Sequence, residues 1–177
     1  MLKGKKRRKV EILEITEELW KRSITETLHG VLELLESAEK LLDNGGNKTI
    51  CAGLYTFAVE EYGKVLLLNQ YIPFKGKVKI KYNREFIDHT KKFEIAVKIL
   101  PSECTTIHEG IFDEAIFDEE IFDVKQVADF EARMAVFYCD FSDSGDDIRP
   151  VPAVDRTLLK TAIGKLRAIA FAANMNT

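Results

Sequence analysis

Leu54-Tyr55-Thr56-Phe57-Ala58-Val59-Glu60-Glu61-Tyr62-Gly63-Lys64 is the stretch from which the rest of the chain is read. At about 100° per residue, Phe57, Ala58, Val65 and Leu68 fall within about 60° of Leu54, and Tyr55, Val59, Tyr62 and Leu66 form a second strip beside them. The strips cover about half the circumference, which predicts a helix from Lys48 to Tyr71 packed on two sides and central to the fold. Glu61 lands inside the apolar arc, between Ala58 and Val65. Desolvating an unpaired carboxylate costs several kcal/mol, so Glu61 is expected to meet a cation or hydrogen-bond donor from elsewhere in the chain. Glu60 and Lys64 lie four apart at the edge of the arc, in the order that suits a surface pair of roughly 0.3–0.5 kcal/mol.

Upstream, Thr16 followed by two acids reads as a helix start, and Val10–Ile15 as an extended lead-in or an early helical turn. Leu28, Val31, Leu32, Leu35, Ala38, Leu41 and Leu42, with Trp20 and Ile24, make a helical stripe from Glu17 to Asp43; His29 lies beside it in a structural role. Asn44-Gly45-Gly46 suits a helix end and Asn47 caps the next helix, so the two pack as antiparallel neighbours.

Downstream, Pro73 stops the central helix. Phe74 to Lys81 then alternates cations with apolar residues or glycine, as a short edge strand or an extended loop does. Either form presents Lys75, Lys77, Lys79 and Lys81 on one side, next to Arg84, as a phosphate-facing, RNA-binding surface or as a solvated loop. Asn83 caps a helix running to Leu100, with Phe86, Thr90, Phe93, Val97 and Leu100 inward. His89 falls on the border of its apolar face, and Lys92, one turn on, is placed to share an anion with it. Arg84 and His89 lie about 140° apart on an ideal helix, so they converge only if Arg84 folds back from the cap region or if they act across a dimer.

Residues 101–124 form an acidic insert: Pro101–Asp123 has eight carboxylates and no Lys or Arg, with Ile-Phe pairs at Ile111, Ile116 and Ile121. A five-residue period fits neither helix nor strand, so a loop or broken helices are expected, with phenylalanines docking on the core or on a partner protein. The acids do not have calcium-loop spacing, and no metal is expected. Charge complementarity also suits this insert as a lid over Lys75–Arg84. A fourth helix is expected from Lys125 to Phe141, with Arg133 as the candidate partner for Glu61. A turn-rich loop over Ser142–Pro152 and a last helix over Ala153–Ala173 follow.

The hydrophobic fraction of 46% and charged fraction of 31% in 177 residues suit one soluble domain. Residues 1–10, with six cations between Lys3 and Lys9, read as a flexible basic N-terminus. Cys51, Cys104 and Cys139 form no C-x-x-C pair, which argues against a zinc cage. No apolar run reaches the roughly 20 residues of a membrane span, and no signal peptide is evident, so a cytoplasmic protein with reduced thiols and no cofactor is expected.

The stretch "LYTFAVEEYGKVLLL" resembles the central helix of the AbiV group of abortive-infection proteins, within the HEPN superfamily. Glu60-x-x-x-Lys64 is similar to the E-x-x-x-K element of several HEPN families, Arg84 to His89 fits the R-x(4–6)-H pattern of HEPN ribonucleases, and "RMAVFYCDF", with Arg133, Tyr138 and Asp140, again looks like AbiV. The likeness covers about half the chain, Leu32–Leu100 and Glu131–Asp140. It implies an all-α, antiparallel bundle of about five helices that pairs as a homodimer and acts in antiphage defence or as a toxin that binds RNA. It also implies metal-independent RNA cleavage by attack of a ribose 2′-OH on the adjacent phosphate, with His89 as acid/base, Arg84 as phosphate clamp, and Glu60 or Glu61 with Lys64 orienting them. The rival reading is a non-catalytic helical interaction module, in which these groups are structural ion pairs.

Overall fold

The computed structural model describes residues 11–82, 86, 88–104, 140–141, 148–149 and 154–175. Strand β1 (Glu11–Thr16) leads into helix α1 (Glu17–Asp43). Helix α2 (Lys48–Asn69), strand β2 (Lys77–Tyr82) and helix α3 (His89–Ile99) follow, then strands β3 (Asp140–Phe141) and β4 (Ile148–Arg149), and helix α4 (Arg156–Asn174). Helices carry the core, so the class is all-α, as expected. Among the described residues, no helix is long and apolar enough to cross a membrane.

Each long helix starts where side chains satisfy its free amides. Thr16 accepts from Leu19 N at 3.1 Å, Asn47 from Thr49 and Ile50, and Asp155 from Thr157 and Leu158. Gly45, with φ 74°, turns the chain out of α1 in the left-handed region. The apolar stripe of α1 then lies buried at Ile24, Leu28, Val31, Leu35, Ala38 and Leu42, against α2. Trp20 Nε1 donates to Leu68 O at 3.0 Å and ties the start of α1 to the end of α2. Helix α2 is the centre, packed against α1 and α3, while α4 covers α1 and touches α2. Leu159, Ala162, Ile163, Leu166 and Ala170 bury the inner face of α4, and Arg156 donates to Leu42 O at 2.6 Å, capping α1.

The basic segment is a strand, and its partner is the N-terminal lead-in. β1 and β2 run antiparallel, with Ile12 opposite Lys81, Glu14 opposite Lys79 and Thr16 opposite Lys77. Val78 and Ile80 are buried, whereas Lys77, Lys79 and Lys81 are exposed. Several expected boundaries move: α3 begins at His89 rather than just after Asn83, and α4 at Arg156 rather than Ala153. α2 ends at Asn69, short of Tyr71, and Asp140–Phe141 is strand rather than the end of a helix. Arg84, Arg133, most of the acidic insert and the basic N-terminus lie outside the described residues, as does the rest of the expected fourth helix.

Candidate functional site

The site forms where α2 meets α3. Glu60 is 3% exposed and Lys92 is 5% exposed, so both charges are out of water. Lys92 Nζ lies 2.8 Å from Glu60 Oε1, and His89 Nδ1 bonds the same oxygen. The anion that His89 and Lys92 share is therefore the Glu60 carboxylate. Around this pair, Glu61 Oε1 is 3.8 Å from Lys92 Nζ, and Glu61 Oε2 is 3.6 Å from Lys64 Nζ.

Two expectations on α2 are corrected. The acid inside the helix packing is Glu60, while Glu61 keeps 34% of its side chain exposed. Lys64 pairs with Glu61 rather than with Glu60. The idea of an internal acid met by a cation holds one residue earlier. Its described cation is Lys92, whereas Arg133, the residue named for that part, lies outside the description. The wheel was centred on the wrong side: Ile50, Leu54, Phe57, Glu61 and Lys64 form the least buried line of α2.

What brings α3 close enough is Gly63. A Cβ there would stand 1.9 Å from Lys92 O, well inside any tolerated contact. Removing that Cβ lets the α3 backbone rest against α2, so the Lys92 side chain reaches back to Glu60, one turn before Gly63. Sequence reasoning passed over Gly63. An isolated glycine inside an otherwise strong helix was the available signal.

The chemistry follows from the asymmetry of His89. Its side chain is 59% exposed, yet Nδ1 is held by a buried carboxylate. A carboxylate partner accepts from Nδ1–H, which assigns the tautomer with its lone pair on Nε2. Nε2 makes no hydrogen bond among the described residues. The arrangement presents one oriented imidazole nitrogen at the surface, with a carboxylate fixed behind the ring.

A second charged surface lies on the β1–β2 ribbon. Lys77 Nζ is 2.6 Å from Glu14 and Lys79 Nζ is 3.9 Å from it. The lysine beside Glu14 holds that carboxyl below its usual range, and Lys77 is raised in return. Lys75 sits in the turn before β2, with its Nζ 5.3 Å from the centroid of the Phe74 ring. The four lysines expected to face phosphate are thus all present on one ribbon, with Glu14 offsetting part of their charge. His29, read as structural, is an exposed residue of α1.

A family model described as AbiV, of the HEPN group, matches residues 19–165. The chain belongs to the AbiV family. That span takes in all but the first two residues of α1, then α2, β2, α3 and the first half of α4, so the Glu60–Lys92–His89 cluster lies wholly within it. No curated protein and no solved structure matches the AbiV chain significantly.

Proposed function

We propose that this AbiV-family protein acts in antiphage defence by binding RNA and cleaving it without metal, as a cytoplasmic homodimer. The observation that carries the reading is an exposed imidazole held through Nδ1 by a buried, lysine-neutralised carboxylate. In the reaction, His89 Nε2 takes the proton of a ribose 2′-hydroxyl. The O2′–P bond forms as the P–O5′ bond breaks, giving a 2′,3′-cyclic phosphate and a 5′-hydroxyl; in net terms the proton moves from O2′ to O5′. Glu60 and Lys92 are positioning residues, Lys64 and Glu61 complete the charge balance beside them, and Arg84 is assigned the clamp on the non-bridging oxygens. The lysines of β2 hold the strand through its phosphates.

One observation favours a non-catalytic interaction module instead. Among the described residues, the charges of Glu60 and Glu61 are balanced by those of Lys64 and Lys92, which leaves these four groups without a net attraction for phosphate. Incubating wild type and His89→Ala with total RNA separates the readings. Decay of RNA by wild type and its loss in the variant is the expected result. Equal decay, or none in either, removes the nuclease and leaves the interaction module.

A further inference from the structure

The turn that feeds β2 carries an exposed aromatic ring on the same face as the lysines. Phe74 N donates to Lys77 O at 2.8 Å and Lys77 N donates to Phe74 O at 3.1 Å, closing a two-residue turn. Lys75, with φ 51°, and Gly76, with φ 73°, both lie in the left-handed region, as a type I′ turn requires. Lysine rarely adopts that conformation, which costs on the order of 1 kcal/mol. The conformation places Lys75 Nζ over the Phe74 ring.

Cross-strand partners share a face of a ribbon. Phe74 pairs with Lys77, and Lys77 with Thr16, so Phe74 stands on the face that also carries Lys77, Glu14, Lys79 and Lys81. The ring is 73% exposed. This face of the ribbon thus carries Lys77, Lys79 and Lys81 against Glu14, with Lys75 in the turn and a flat apolar ring at one end. Lys75 can occupy only one face of that ring.

We infer that this face binds single-stranded RNA, with Phe74 stacking an unpaired base and the lysines tracking the phosphates. The inference rests on the RNA reading proposed above and adds a substrate class, unpaired rather than duplex RNA. Stacking needs a base whose face is open, which a paired helix does not offer. An anionic membrane fits less well. Ile12, also on this face, is separated from the Phe74–Lys77 row by the Lys79 row, about 13 Å at strand rise, so these two apolar residues do not join into one surface.

The test is fluorescence anisotropy of the full chain with a labelled single-stranded oligouridylate, a duplex RNA of the same length, and vesicles containing phosphatidylserine. Phe74→Ala and Phe74→Leu are expected to weaken single-strand binding by about 5- to 150-fold, the span of one lost base stack. They should change duplex binding little, and Phe74→Trp should restore the affinity. Lys79→Ala should weaken both RNAs alike and flatten the salt dependence. Equal single-strand affinity in wild type and Phe74→Leu, no single-strand binding by wild type, or Phe74-dependent binding to vesicles alone would each overturn the inference. The two claims fail separately. RNA decay that needs His89 but not Phe74 sinks this inference and spares the nuclease, while Phe74-dependent binding without decay does the reverse.

Discussion

At the residue scale, Glu60 and Lys92 depend on one another. Each is buried, and the attraction between them offsets a desolvation cost of several kcal/mol per ion. Lys92→Met leaves the carboxylate with less of its compensation and is expected to lower unfolding stability by roughly 3–5 kcal/mol, whereas Lys92→Met with Glu60→Gln should recover much of that. Urea denaturation of the three proteins checks this. A double variant no more stable than the single one would show that the pair is not the unit. Cys51 and Cys104 make a second residue-scale case. Burial raises both thiols, so neither should react with iodoacetamide at neutral pH until the chain unfolds, which mass spectrometry reads directly. The sequence was least informative at this scale. On a helix as uniformly apolar as α2, the hydrophobic wheel has little power to choose a side, so it put Glu61 inside and Glu60 out. The better guide was size. Ala52, Gly53, Thr56 and Gly63 are all buried and mark the sides of closest packing.

At the scale of the elements, the α2–α3 contact turns on Gly63. Gly63→Ala forces the α3 backbone away from α2, with a cost of at least the 1–3 kcal/mol typical of overpacking, and carries Lys92 away from Glu60. Thermal unfolding reports the loss, and an unchanged midpoint would contradict the close approach. The turn before β2 offers the opposite change. Lys75→Asn keeps the left-handed conformation with a residue suited to it, and should stabilise by about 0.5–1 kcal/mol while weakening RNA binding. Elements were far more legible than residues. α1 was read to its observed ends because Thr16, the two acids after it, and Asn44-Gly45 are strong local signals. The pairing of β1 with β2 was not readable, since it joins segments more than 60 residues apart and no local pattern names a partner.

At the scale of the whole molecule, one core links α1, α2, α3 and α4, and phenols lie inside it. Tyr55 donates to Cys104 O at 2.7 Å, and burial raises both Tyr55 and Tyr62. A raised folded-state value means the folded chain keeps protons that unfolded phenols release near pH 10. The stability is therefore full below about pH 10 and falls as pH rises beyond it. Denaturant midpoints should fall as pH rises from about 10 to 11, and Tyr55→Phe should soften the fall. Depressed carboxylates, Asp43 beside Lys160 and Glu103 beside Lys165, act at the other end, and their support is lost as pH falls into the acid range.

Helix packing holds one surface histidine in a fixed orientation, and the proposed function makes it a base for RNA. The most direct measurement is the 3′-end chemistry of a single-stranded RNA incubated with wild type and His89→Ala in excess chelator. Wild type should leave 2′,3′-cyclic phosphate ends and the variant none. Intact RNA with wild type, or the same cyclic ends with His89→Ala, would contradict it.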